Sequence, residues 1–138
     1  MIQALDLTPL QKALKSLLFA IERTEREAED DMLRDSVIQR FEYTYELCWK
    51  MLKRRLEMDA PSAEAIDAMS YREMIREGAE RGLIDEPVVW FDYRQKRNLT
   101  THTYNANVAQ EVYQSAVAFA NHAQKLLSAL EQRNNDEA

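Results

Sequence analysis

Residues 32–58, MLRDSVIQRFEYTYELCWKMLKRRLEM, contain apolar side chains that recur three or four positions apart. These apolar positions are Leu33, Val37, Phe41, Tyr45, Cys48, Leu52 and Leu56. Such spacing places the side chains on one face of an α-helix. Glu42, Glu46 and Lys50 fall mostly off that face, at intervals of four residues that support a helix through neighbouring charges. The stretch therefore predicts one long amphipathic helix over its whole length.

Two further long helices are expected on either side of this stretch. Thr8-Pro9-Leu10-Gln11 combines a hydroxyl, a proline and a glutamine in capping-box order, so Thr8 is expected to cap a first helix. Asn105 is expected to cap the last helix, and the polar tail from Asn134 is expected to fray. The apolar face of that last helix comprises Val108, Val112, Tyr113, Ala116, Phe119, Ala120, Ala123, Leu126, Leu127 and Leu130.

The segment between the second and last helices indicates a broken third helix. A small helical turn is expected around residues 63–69. Ser70-Tyr71-Arg72-Glu73 is a capping box that opens a short helix, and Gly82 is placed to close it in a left-handed conformation. Asp85 is expected to cap a further helix, with Pro87 in its first turn.

These features predict an all-α, up-and-down four-helix bundle with a broken third helix and a short additional helix. The chain has 138 residues with only 2 glycines and 3 prolines, which favours long helices and short loops. A single domain over residues 1–138 is expected, with an ordered core at about residues 7–133. Cys48 is the only cysteine, so an internal disulfide is excluded and a reducing compartment is indicated.

The charge balance argues against a broad basic surface for nucleic acid or anionic membranes. The formal net charge is −6. One dense basic cluster, at Lys50, Lys53, Arg54 and Arg55, is either a solvated face or an RNA-contacting patch. The longest purely apolar run, residues 17–21, is too short to span a bilayer, and no secretory signal is visible. We therefore expect a cytoplasmic protein.

Residues suited to chemistry are concentrated in Arg97-Asn98-Leu99-Thr100-Thr101-His102-Thr103-Tyr104. An imidazole moves protons near neutral pH, and a guanidinium grips phosphate with a fixed fork of donors. This set suits metal-independent RNA cleavage, with His102 as acid or base and Arg97 stabilising charge on the phosphate. No metal site is predicted, because the two histidines stand twenty residues apart and no ligand spacing is evident. His122 is expected to be structural or exposed.

Helical geometry limits how these side chains can meet. Arg97 and His102 are separated by about 140° around a straight helix, whereas Asn98 and His102 are neighbours. Asn98 can therefore orient the imidazole. Arg97 can reach the same substrate through its long side chain, through a helix end near Thr101, or across a symmetric dimer, which is the arrangement we favour. A purely structural role for Arg97 and His102 remains an alternative.

The chain resembles the HEPN superfamily, specifically the small nucleotidyltransferase substrate-binding proteins and the related HepT-type toxins. The resemblance extends over about residues 7–133 and rests on two blocks of sequence. The first is Phe41-Glu42-Tyr43-Thr44-Tyr45-Glu46-Leu47 with Lys50, Met51 and Lys53, and the second is Trp90, Tyr93-Arg94, Arg97-Asn98 and His102-Thr103-Tyr104.

The resemblance implies a homodimer with paired Arg-x4-His motifs facing a cleft at the interface. It also implies a minimal nucleotidyltransferase partner, encoded nearby, which uses ATP and magnesium; this chain itself is expected to need no cofactor. In HepT-type pairs the partner silences a ribonuclease toxin by adenylylating the motif tyrosine, which here corresponds to Tyr104. The catalytic set is then Arg97, His102 and Asn98. Contacts with substrate or partner are implied for Arg94, Tyr93, Lys50, Lys53 and Glu46.

Two functional hypotheses follow beside the structural one. The first is a ribonuclease toxin of a two-gene toxin–antitoxin module. The second, closer to the substrate-binding branch, is a non-catalytic subunit that presents a substrate to the nucleotidyltransferase.

Overall fold

The computed structural model describes residues 4–136, which form six α-helices and no strand. The helices are α1 (Thr8–Arg26), α2 (Asp31–Asp59), α3 (Ala63–Asp67), α4 (Tyr71–Glu80), α5 (Pro87–His102) and α6 (Ala106–Asp136). α1, α2 and α6 are the long helices, and α3 to α5 together make the broken third segment. The predicted all-α bundle is confirmed.

α2 is the central helix and packs against each of the other five. Its stripe is buried as predicted, with Phe41 and Tyr45 among the largest fully buried side chains. The ring of Phe119, on α6, lies 5.1 Å from that of Phe41 and 5.7 Å from that of Trp90, on α5. Edge-to-face aromatic contacts of this kind fix the position of α5, the helix that carries the Arg-x4-His motif.

Three local predictions of helix ends are confirmed. The Ser70 hydroxyl accepts the Glu73 N–H while the Glu73 side chain accepts the Ser70 N–H, so the capping box is formed. Gly82 has φ +79°, and the Leu83 N–H donates to the Gly78 carbonyl to end α4. Asn105 Oδ1 accepts the Val108 N–H at 3.0 Å at the start of α6.

Two predicted caps are wrong. α1 begins at Thr8, but Asp6 accepts the Thr8 N–H at 3.0 Å, and the amide of Gln11 donates to Glu131 instead of reaching back. Asp85 does not cap α5, because its carboxylate pairs with Lys125 at 3.2 Å. In both cases a side chain that local sequence assigns to a cap is engaged elsewhere.

A buried polar cluster closes the end of the bundle that holds the N-terminal segment. It consists of Arg55, Asp59, Arg133 and Asn134, and we call it the base cluster. Asp59 accepts from Arg55 and Arg133, both at 2.8 Å. Asn134 pairs with both the N–H and the carbonyl of Leu5 and accepts from Arg55.

The base cluster corrects two expectations. Arg55 belongs to neither a solvated face nor an RNA patch, because its side chain is only 3% exposed and neutralised by Asp59. Of the tail expected to fray, residues 134–136 continue α6, and hydrogen bonds to Leu5 and Arg55 hold Asn134; residues 137 and 138 lie outside the described residues.

Among residues 4–136, no helix is both long and apolar enough to cross a membrane. In the same range, no group of three or more His, Cys, Asp or Glu side chains is arranged to hold a metal ion.

Candidate functional site

The second half of α5 and the segment that follows it lie along α2 and contact a row of three carboxylates. Arg97 pairs with Glu46 at 2.6 Å, and the Thr100 hydroxyl lies 3.4 Å from a Glu42 oxygen. Beyond the end of α5, the Tyr104 hydroxyl donates to Asp35 at 2.6 Å. The later residue of α5, Thr100, contacts the earlier residue of α2, Glu42, so the two helices run antiparallel. We call Asp35, Glu42 and Glu46 the α2 carboxylate row.

Arg97 is positioned at a half-open edge of the groove between the two helices. Its side chain is 35% exposed, and that of Glu46 is 24% exposed. A pair this accessible to water is held weakly, because solvent screens its charges. The guanidinium fork can therefore turn from Glu46 to a phosphate that enters the groove.

His102 is the last residue of α5 and is exposed. Within residues 4–136 its imidazole makes no hydrogen bond. The predicted partner, Asn98, lies beside Arg97 instead, with its side-chain oxygen 3.4 Å from Nη1. The guanidinium competes successfully for that oxygen because it offers several donors. Arg97 pairs with Glu46 of α2 and, within residues 4–136, shares no hydrogen-bond partner with His102.

Tyr104 follows the extended Thr103 and is 51% exposed. Partial burial, together with the hydrogen bond to Asp35, raises the pKa of Tyr104 to about 12. The phenol is therefore protonated at neutral pH, and the hydrogen bond to Asp35 positions its hydroxyl while about half of the residue stays exposed.

Two members of the carboxylate row, Asp35 and Glu42, were not predicted as site residues. Burial raises the pKa of Glu42, against the opposing effects of the Thr100 hydrogen bond and the Arg97 charge. A signal for them does exist in the sequence: spacings of seven and four residues place Asp35, Glu42 and Glu46 on one face of α2.

A pocket of about 190 Å³ lies where α2, α3, α4 and α5 meet. Three of the residues predicted to bind substrate or partner line it, together with Arg97 from the predicted catalytic set. The three are Glu46, Lys53 and Arg94. The Arg94 guanidinium lies 4.5 Å from the centre of the Tyr71 ring, and Lys53 stands 3.5 Å from Asp67.

The structure does not bring Tyr93 and Lys50 into this pocket. Tyr93 is only 3% exposed, and its hydroxyl lies 2.7 Å from Nδ1 of His122, whose Nε2 faces Glu86 at 2.6 Å. This contact joins α5 to α6, so Tyr93 and His122 support the position of α5. Lys50 is exposed and stands 3.7 Å from Glu46.

Two of the matches to this chain come from Haemophilus influenzae. A Haemophilus influenzae protein called probable ribonuclease HepT is 40% identical over 104 residues, or 75% of this chain and 71% of that protein. A Haemophilus influenzae structure, described as the fold of a substrate binding domain of a nucleotidyltransferase, matches with a TM-score of 0.85. That match has 34% identity and covers 91% of this chain and 99% of the other.

A crystal structure of a Thermus thermophilus protein is also similar, with a TM-score of 0.72 and 31% identity over 88% of this chain and 98% of the other. A family model, described as nucleotidyltransferase substrate binding protein like, matches residues 5–132. This chain therefore belongs to the nucleotidyltransferase substrate binding protein like family.

Proposed function

We propose that this protein is a metal-independent endoribonuclease that acts as a homodimer and is silenced when a nucleotidyltransferase partner adenylylates Tyr104. The observation that carries the proposal is the arrangement at the end of α5. There, an imidazole that makes no hydrogen bond within residues 4–136, a partly exposed guanidinium and an exposed phenol lie within eight residues.

The proposed cleavage uses a nucleophile supplied by the RNA itself. A base removes the proton of a 2′-OH, and its oxygen attacks the adjacent phosphorus. The bond from phosphorus to the 5′-oxygen then breaks, an acid protonates that oxygen, and a 2′,3′-cyclic phosphate remains. His102 supplies the proton transfers, and Arg97 stabilises the negative charge that develops on the phosphate.

A second copy of the chain is part of this proposal. Within residues 4–136, Arg97 is paired with Glu46, whereas the exposed His102 at the helix end makes no hydrogen bond. Two copies related by a twofold axis supply two imidazoles, one to act as base and one as acid. Two guanidinium groups then flank the same phosphodiester.

Adenylylation would act on the same end of the molecule. The Tyr104 oxygen attacks the α-phosphorus of ATP bound to the partner, the bond to the β-phosphate breaks, and pyrophosphate leaves. Asp35, which already accepts the phenol hydrogen bond at 2.6 Å, receives the proton. The resulting anionic group, two residues from His102, blocks access to the imidazole and attracts Arg97.

Cleavage is tested with purified protein and single-stranded RNA. We expect His102→Ala and Arg97→Ala each to abolish measurable cleavage, while Arg72→Ala, which removes an exposed arginine on α4, leaves it unchanged. Mixing the two inactive variants should restore at most a small part of the activity, because a mixed dimer holds one intact arginine but only one of the two imidazoles. Wild-type cleavage that persists in His102→Ala would refute the assignment.

Silencing is tested by co-expression with the nucleotidyltransferase encoded nearby. Intact mass should show one added adenylate on the wild type and on Tyr43→Phe, another exposed tyrosine. The addition should be absent from Tyr104→Phe. An adenylate on Tyr104→Phe would refute the modification site.

The second candidate function is a non-catalytic substrate-binding subunit of a two-component nucleotidyltransferase. The pocket beside Arg97 and the family membership favour it. A stable complex with the partner and no RNA cleavage by wild-type protein would support this candidate over the ribonuclease.

A further inference from the structure

The pocket at the junction of α2 to α5 has an apolar interior and aromatic sides. Ile66 and Met74 line it and are almost fully buried. Trp49 and Tyr71 line it as well, and both keep part of their rings accessible. Aromatic side chains at a small cavity favour a flat ring as ligand, through stacking and edge contacts.

Cations gather at the rim of the same pocket. Arg97 and Lys53 are paired with Glu46 and Asp67. Arg94 differs, because among residues 4–136 it forms no ion pair and lies stacked 4.5 Å over Tyr71. Stacking fixes the plane of its guanidinium and leaves its donors free, which is the arrangement that suits a phosphate.

The other polar side chains that line the pocket include two phenols, the Ser70 hydroxyl and one carboxylate. Tyr45 donates to Tyr71 at 2.7 Å, and Tyr71 donates to the Trp90 carbonyl at 3.3 Å. Burial raises the pKa of Tyr71 to about 12, so this phenol is uncharged near neutral pH. Glu46 is paired with Arg97, and its carboxylate can also accept from an amino group of a ligand.

We propose that this pocket binds a nucleotide, with the base against Trp49 and Tyr71 and the phosphate on Arg94 and Arg97. A volume of about 190 Å³ is below the range for drug-sized ligands, so it suits a base while sugar and phosphate stay at the mouth. The nucleotide is either free or one unit of an RNA strand. In the second case the inference rests on the proposed ribonuclease and names its base-binding subsite.

Tryptophan fluorescence can report nucleotide binding in this pocket. Trp49 lines the pocket, whereas the other tryptophan, Trp90, is 1% exposed in the core. Titration of the purified protein with AMP, GMP, CMP or UMP should quench tryptophan fluorescence saturably. Ribose 5-phosphate and inorganic phosphate should not. Trp49→Phe should abolish the change. The absence of saturable quenching by every nucleotide would overturn the proposal.

Arg94 has a well-matched control in Arg72, which stacks 4.4 Å over Phe91 outside the pocket. We expect Arg94→Ala to weaken nucleotide affinity about tenfold, and Arg94→Lys to weaken it less, since charge is kept and the fork is lost. Arg72→Ala should bind like the wild type. Equal affinities for Arg94→Ala and the wild type would overturn the assignment of the phosphate contact.

A ten-nucleotide RNA, titrated into the His102→Ala variant, separates the two sources of the nucleotide. Much tighter binding of the strand than of a mononucleotide identifies an RNA subsite, and equal binding identifies a free nucleotide. Nucleotide binding without RNA cleavage by the wild type would refute the ribonuclease proposal and support the nucleotide site. Cleavage without nucleotide binding would refute the nucleotide site and support the ribonuclease proposal.

Discussion

Two places along α2 each hold an arginine paired with a carboxylate, in different surroundings. In the base cluster, Arg55 and Asp59 are 2.8 Å apart with side chains 3% and 14% exposed. Beside the middle of α2, Arg97 and Glu46 are 2.6 Å apart with side chains 35% and 24% exposed. Their distances are alike, so burial is the main difference. The buried pair is committed to the fold, and the accessible pair is free to exchange partners.

The largest contrast should come from removing each arginine. Arg55→Ala leaves Asp59 buried with one partner fewer and should lower the free energy of unfolding by about 3 kcal/mol. Arg97→Ala removes a solvent-screened pair and should lower it by less than about 1 kcal/mol. Urea unfolding of both variants measures the difference. Equal losses in the free energy of unfolding would contradict the proposed difference between the two ion pairs.

A smaller effect is expected from the contact that holds the phenol. Asp35→Asn removes the acceptor of the Tyr104 proton and should slow adenylylation at least about 10-fold, with little change in stability. Asp31→Asn is the matched control, because Asp31 also neighbours Arg34 but does not contact Tyr104. The rate is followed by intact mass in the presence of the partner and ATP. Modification of Asp35→Asn at the wild-type rate would remove this role of Asp35.

The smallest expected effect concerns pH. As the pH falls, the contributions of Asp59 and Glu42 to the free energy of unfolding should change in opposite directions. Although burial opposes it, the hydrogen bonds from Arg55 and Arg133 lower the pKa of Asp59 from 3.8, so this contribution to stability is lost as the pH falls below that value. Burial raises the pKa of Glu42 from 4.5, so the folded state takes up a proton first and stability rises as the pH falls toward 4.5.

Unfolding free energies measured across this pH range should separate the two groups. Glu42→Gln should remove the gain between neutral pH and about 4.5, and Asp59→Asn should remove part of the loss at lower pH. Unchanged pH profiles for both variants would contradict the assigned directions.

Sequence patterns predicted the features that depend on neighbouring residues. The Ser70 capping box, the left-handed Gly82 and the Asn105 cap all form within a few residues of the chain. The expectations for Asp85 and Asn134 failed because their partners, Lys125 and Leu5, are distant in sequence.

The same distinction, between features set by neighbouring residues and contacts between distant ones, applies to the candidate site. Arg97, His102 and Tyr104 were predicted from residue type, spacing and family resemblance. The contacts of Asp35 and Glu42 depend on the antiparallel register of α5 on α2, which no local pattern encodes. The contact of Asn98 was also not predictable from local sequence, because both Arg97 and His102 are near neighbours of Asn98 along the helix.

The most direct test of the central claim measures RNA cleavage and unfolding on the same sample of His102→Ala. If the end of α5 serves function and not stability, cleavage should fall at least about 100-fold while the free energy of unfolding stays within about 0.5 kcal/mol of the wild type. Cleavage at the wild-type rate, or a loss of cleavage accompanied by an equally clear loss of stability, would contradict the account.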